Sequence, residues 1–198
     1  MTRGRIGAYR RHRTIGRFKD VVLTLCFLFL LALIAARLQG GASDPVTGPF
    51  RVVDGDTLAA GSERLRLAGI DAPELDQTCE RDGQAWDCGQ DAKAALQRVV
   101  AGGEVECRGG ERDRYGRLVV NCFVDGRTVG GAMVRSGMAV TTSLITYRRE
   151  QVDAENDRKG IWAGPFIMPA DWRRERKLEQ EGRGFLSGMK DILSLQWL

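Results

Sequence analysis

Histidine is almost missing from this chain: 198 residues contain one, His12, in the basic opening segment. Histidine-based catalysis and His-rich zinc sites are therefore excluded from the folded body. No Cys-x2-Cys pair occurs either, although there are five cysteines. A charge excess of one sign is lacking in the body as well. Residues 1–20 carry Arg3, Arg5, Arg10, Arg11, Arg13, Arg17 and Lys19 against Asp20, which leaves 23 basic and 25 acidic side chains for the rest. A uniformly basic coater of nucleic acid is disfavoured, and any binding of phosphate must come from local charge placement. There is no internal repeat.

What is present fits a globular protein. Hydrophobic residues make up 43% and charged residues 28%, which argues against disorder and against a multi-span membrane protein. The 25 glycines favour a turn-rich, strand-containing fold over a helical bundle.

Residues 1–20 read as a basic cytoplasmic segment. Residues 21–37 read as a transmembrane anchor or a signal-peptide apolar region, because 21–36 are apolar except for Thr24 and Cys26 and are closed by Arg37. Basic residues ahead of it would stay inside, sending the remainder across the membrane. The protein is then extracytoplasmic, membrane-anchored through 21–37, or secreted if cleaved near Ala42. Residues 38–48 form a linker, and 49–172 a single domain. The period-two run Arg64-Leu65-Arg66-Leu67 is a strand, as are 50–53, 57–60, 104–108 and 118–124. Helices are expected over Ala92 to Val100, ended by Gly102-Gly103, and over 129–136 and 147–158. Strands with interspersed helices and no regular βαβ alternation indicate an α+β domain around a closed or partly closed sheet. Residues 173–198 are a charged tail in which Phe185, Leu186, Met189, Ile192, Leu193 and Trp197 recur at helical spacing. That stretch is either a docked or frayed helix, or an amphipathic one for a membrane surface or partner.

Setting Cys26 aside, four cysteines in an exported domain imply two disulfides. Cys79 and Cys88 bracket one short loop, and Cys107 and Cys122 sit on consecutive strands, so these two pairs are expected. The alternative is a zinc site built from all four thiolates.

Two acidic clusters flank the first hairpin, Asp54-Gly55-Asp56-Thr57 and Asp71-Ala72-Pro73-Glu74. A turn at Gly61-Ser62 sets Thr57 across from Arg66 and folds Asp56 back toward it. Asp71 and Glu74 can swing into the same place, so three carboxylates and an arginine are expected to converge. Like charges that close need a cation among them, and oxygen-only donors favour Ca2+ or Mg2+. With an arginine beside them, the set suits a phosphoryl group. Each fragment alone also has a plain reading: Asp-Gly-Asp as a turn, Asp-Ala-Pro-Glu as a helix start, Arg64 and Arg66 as a solvated face. A second cluster, Asp113-Arg114-Tyr115-Gly116-Arg117, is a polar hairpin loop or a phosphate clamp. In the latter, Arg117 is the bidentate ligand and Tyr115 a flat surface for a nucleotide.

Together these motifs resemble the staphylococcal-type thermonucleases, the micrococcal nuclease-like family. The resemblance rests on Val53-Asp54-Gly55-Asp56-Thr57, Arg64 through Glu74, Asp113-Arg114-Tyr115-Gly116-Arg117 and Gly160-Ile161-Trp162, and it spans about residues 47–172. It implies a five-stranded OB-fold β-barrel with three helices. By motif, Asp56, Asp71 and the carbonyl of Ala72 would bind Ca2+, Glu74 would be the general base, and Arg66 and Arg117 would clamp the phosphate. Asp54 would support the metal's water network. The family's base-stacking tyrosine pair is replaced near Ser143 and Ile145, with Tyr147 close by as the substrate-facing aromatic. The implied activity is a Ca2+-dependent endonuclease on DNA and RNA, preferring single strands, giving 3′-phosphorylated products and needing no obligate protein partner. Two alternatives are a catalytically silent nucleic-acid-binding barrel and a tethered assembly protein whose last helix recruits a partner.

Overall fold

The computed structural model describes residues 9–39 and 45–194, with side chains for 19–35 and 45–183. The expected cleavage point near Ala42 and the apolar positions from Phe185 onward lie outside the described side chains, as do the basic side chains 3–17. The chain divides into two compact units, Met1–Ala42 and Ser43–Leu198.

In the first unit, helix α1 (Tyr9–Gln39) includes the apolar run, and Leu23, Phe29 and their neighbours are exposed. Among the described residues no helix is long and apolar enough to cross a membrane. The expected transmembrane span of 21–37 finds no support among the described residues. As a helix the apolar run 21–36 rises about 24 Å, short of a hydrocarbon core of about 30 Å.

The second unit begins with β1 (Val46–Thr47) and β2 (Arg51–Val52), then the hairpin of β3 (Thr57–Ala60) and β4 (Glu63–Leu67). There follow β5 (Ile70–Asp71), β6 (Cys79–Arg81), β7 (Gln84–Trp86) and α2 (Cys88–Val100). Next come β8 (Val105–Arg112), β9 (Leu118–Val124), β10 (Arg127–Thr128), α3 (Val129–Arg135), β11 (Val140–Thr141) and α4 (Arg148–Asn156). A 3-10 turn, Gly160–Ala163, and the long helix α5 (Pro169–Ser194) complete it.

The main sheet runs β1-β8-β9-β4-β3-β2, with β10 added to β9. Its two end strands are separated by only Gly48, Pro49 and Phe50, so the sheet must curl until its ends nearly meet. Counting β1 and β2 as one interrupted strand gives the five strands expected. No pairing joins β1 to β2 among the described residues, and the result is a partly closed, OB-fold-like barrel. The parallel pair β4 and β9, with Leu65 opposite Leu118 and Leu67 opposite Val120, sets the curl.

Period-two alternation explains the core. Leu65 and Leu67 of β4 are buried while Arg64 and Arg66 face away, and Leu58, Ile70, Val120, Leu96, Val129, Met133 and Val134 fill the interior. Each such side chain contributes about 1.5–3 kcal/mol by leaving water. Helix α2 comes close because it presents Ala92 and Ala95. A smaller cluster of Cys79, Cys88, Val140 and Ile161, with Trp86, Trp162 and Phe166, stands beside it. Both disulfides form as expected, Cys79–Cys88 and Cys107–Cys122, the second between residues directly opposite on β8 and β9.

Three differences from the sequence reading matter. The β6–β7 hairpin inside the first disulfide loop was not expected. Three helices, α2 to α4, lie within the expected domain, but the described residues hold five. Helix α5 also runs straight through the expected boundary at Trp172, because no proline follows Pro169 before Ser194.

Candidate active site

The hairpin of β3 and β4 places Thr57 opposite Arg66, as its turn predicts. Arg66 leaves β4 on the outer face and reaches two buried carboxylates. Its Nη1 bonds Asp56 at 2.8–2.9 Å, and its Nη2 bonds Asp71 Oδ1 at 2.8 Å. Asp56 also accepts from the Thr57 hydroxyl at 2.9 Å and from the Ala72 N–H at 3.3 Å. Asp54 caps the turn by accepting the Asp56 N–H at 3.1 Å. Asp71 is set by β11, where Val140 pairs with it. Gly55 lets these pieces close, since a Cβ there would stand 2.6 Å from the Ala72 side chain.

Burial pushes the Asp56 carboxyl up to about 6, against the pull of Arg66 and with help from the charges of Asp54 and Asp71. The Arg66 guanidinium therefore does not fully offset the desolvation of the Asp56 carboxyl.

Glu74 sits on the loop after β5. Its N–H is held by the Oε1 of Gln77 at 3.2 Å, while the Nε2 of that fully buried side chain donates to the Ile167 carbonyl at 2.7 Å. The start of α2 lies directly beneath: a Cβ on Gly89 would meet the Glu74 carbonyl at 1.7 Å. Arg117 lies on the turn between β8 and β9, gripped by Asp113, and Tyr115 is exposed with Arg114 and Arg117 over its ring at 4.8 and 5.3 Å. The hydrogen bonds from Arg117 and Tyr115 outweigh burial at Asp113 and hold its carboxyl below the usual range.

These parts meet in an open cleft of about 680 Å³ lined by Arg64, Arg66, Glu74, Asp113, Arg114, Tyr115, Arg117 and Arg173. Arg173 was not singled out in the sequence; it comes from the first turns of α5. Its guanidinium bonds both oxygens of Asp71, at 3.1 and 2.8 Å, and Glu74 at 2.7 Å. Gln77 and Gly89 were missed as well, since their roles depend on contacts far along the chain.

Two expectations are corrected here. The three carboxylates converge, but interleaved with Arg66 and Arg173 rather than around a cation-sized gap, and among the described residues no group of three or more His, Cys, Asp or Glu is placed to hold a metal. Asp56 and Asp71 are joined through Arg66, and Glu74 reaches Asp71 only through Arg173. Nor does Tyr147 line the cleft. It packs partly buried against the core, its ring 3.0 Å from where a Cβ on Gly130 would lie, so its aromatic face is spent on α3. The donors that remain are the Asp56 and Asp71 carboxylates and the neighbouring Ala72 carbonyl. An oxygen-only set with an incompletely compensated buried acid fits a hard divalent cation.

The family model of the staphylococcal nuclease homologues matches residues 64–164. A succinoglycan biosynthesis protein, ExoI, of Rhizobium meliloti (strain 1021) is 35% identical over 139 residues, 67% of this chain and 73% of that one. A probable staphylococcal-like nuclease, CAN1, of Oryza sativa subsp. japonica is 34% identical over 128 residues, 62% of this chain and 36% of its own length. An uncharacterized endonuclease of Escherichia coli O157:H7 is 30% identical over 162 residues, 76% of this chain and 94% of that one.

Proposed function

The chain belongs to the staphylococcal nuclease homologue family, and from that premise we propose that it is a Ca2+-dependent endonuclease acting on DNA and RNA. The observation that carries this reading is the bridging of Asp56 and Asp71 by Arg66 on the wall of a cleft that also holds Glu74, Arg117 and Tyr115. Relatives named as nucleases and endonucleases support the hydrolytic class.

The roles follow from chemistry. Arg66 and Arg117 present planar donor forks to the oxygens of a phosphodiester, where negative charge grows in the transition state. Glu74 accepts a proton from water as its oxygen bonds to phosphorus. The bond from phosphorus to the 5′-oxygen breaks, that oxygen takes up a proton, and a 3′-phosphate remains. A bound Ca2+, held by Asp56, Asp71 and the Ala72 carbonyl, would supply charge neutralisation at the phosphate. Tyr115, exposed and flanked by arginines, suits an unstacked base, hence a preference for single strands. The two disulfides and the basic residues ahead of the apolar run support an extracytoplasmic site of action, tethered through 21–37 or released by cleavage near Ala42.

The test is cleavage of heat-denatured DNA and of RNA by the full chain, with Ca2+ and with chelator. Cleavage is expected only with Ca2+, leaving 3′-phosphate ends, and Glu74→Gln should lower turnover about a hundredfold or more while still binding the strand. Absence of Ca2+-stimulated cleavage would sink the proposal.

A further inference from the structure

We propose that Arg173 is a built-in counter-cation that occupies Asp71 and Glu74 until a divalent cation displaces it, so that cation binding frees the start of α5. The inference rests on the reading that Asp56 and Asp71 hold such a cation.

A carboxylate offers about four acceptor positions. On Asp71, Oδ1 already takes Arg66 Nη2 at 2.8 Å and Arg173 Nη1 at 3.1 Å, and Oδ2 takes Arg173 Nη2 at 2.8 Å. Arg173 therefore uses two of the three occupied positions. It also neutralises Glu74 at 2.7 Å, the group required as a free base. A cation at Asp71 and the guanidinium of Arg173 compete for the same lone pairs and the same charge.

The attachment is of a kind that can be released. Arg173 is 43% exposed in its side chain, and one turn later Arg176 pairs with exposed Asp76. With the Gln77 to Ile167 bond just before the helix, these contacts tie α5 to the loop of residues 71–77 by polar bonds. The exposed Arg176–Asp76 pair is weak in water, while the Arg173 pair on buried Asp71 opens when a competing cation takes the same oxygens. Arg173 lies beyond residues 64–164, the span that the family model matches. Once displaced, its charge stays at the cleft mouth, where a substrate phosphate can take the place of Glu74 as partner.

The experiment uses the full chain without nucleic acid. Ca2+ alone is titrated calorimetrically into the wild type, Arg173→Met and Arg173→Lys, and hydrogen exchange of the amides of residues 171–177 is followed with and without Ca2+. Arg173→Met should bind Ca2+ roughly tenfold tighter than the wild type, within the usual range for two linked events. Arg173→Lys should lie between them. In the wild type Ca2+ should speed exchange over 171–177, and in Arg173→Met exchange there should be fast in both conditions. Equal or weaker Ca2+ binding by Arg173→Met, or no Ca2+ effect on wild-type exchange, overturns the role of Arg173 and leaves the nuclease reading standing. No Ca2+ binding by any of the three overturns both.

Discussion

Asp113 grips Arg117 at two points, Nε at 2.8 Å and Nη2 at 2.7 Å, from the opposite end of the same turn. The other Asp113 oxygen accepts the N–H groups of Tyr115 and Arg117 at 2.9 and 3.0 Å. One carboxylate thus shapes the turn and aims the guanidinium. Arg117 also contributes nothing to the core, so its orientation is free to matter only for ligand. Asp113→Ala should lower kcat/KM on a single-stranded oligonucleotide by about 10–100-fold, the usual scale for a misplaced clamp. The thermal midpoint should fall only modestly, because the turn loses the acceptor of two backbone N–H groups but no core contact. A large drop in the midpoint with activity per folded molecule unchanged would show that the contact serves only the fold.

Gly89 makes a different kind of demand. Its backbone is ordinary helix, yet a methyl there would lie 1.7 Å from the Glu74 carbonyl and 2.9 Å from the carbonyl carbon of Leu75. Gly89→Ala must therefore push the Glu74 loop off α2. Stability should fall by about 1–3 kcal/mol, as for an overpacked site, and turnover by about a hundredfold through misplacement of the base. Denaturant unfolding and single-turnover cleavage measure the two effects. Wild-type turnover in the variant would refute the tie between helix and loop.

The Cys107–Cys122 bridge closes a loop with a sequence separation of 15. A loop of that length is worth about 3 kcal/mol through the unfolded chain. The double change to Ser at 107 and 122 should cost about that much in urea unfolding. Per folded molecule, cleavage should persist, since neither cysteine lines the cleft. The Cys79–Cys88 bridge is closer to the site, because Cys88 begins α2 next to Gly89.

Acidity gives a further signature in Ca2+-free protein. Burial raises the Asp56 carboxyl to about 6 in the folded state, whereas in an unfolded chain it titrates near 4. The folded state therefore binds this proton more tightly. The stability it contributes is complete below about pH 4 and is lost as pH rises through about 6. Unfolding free energy should decline over that window, and Asp56→Asn should remove this part of the decline. The same slope in both proteins would locate the proton elsewhere.

Much of the fold was legible because it rests on short-range rules. The alternation of Arg64-Leu65-Arg66-Leu67, the turn at Gly61-Ser62 and the run of 118–124 define β3, β4 and β9, and the turn alone sets Thr57 against Arg66. The disulfide pairs were legible for the same reason, one spanning a loop and one bridging neighbouring strands. Tyr147 was misplaced because an aromatic near a motif reads the same whether its ring faces a ligand or packs on glycines. Only Gly130 and Gly131 of α3, brought beneath it, decide that.

By itself, the order of residues determined which groups could act: oxygen donors without histidine, two arginines in separate motifs, and a hairpin that folds one acid onto one guanidinium. Those are matters of residue type and of spacing within a few positions. Tertiary structure decided that the charges pair through guanidiniums rather than gather as three acids, and that Arg173, about a hundred residues after Asp71, enters the same cleft. The physical reason is range. Propensity and periodicity act over one or two turns of chain, whereas the partner of a buried charge is whichever opposite charge the packed core brings within about 3 Å.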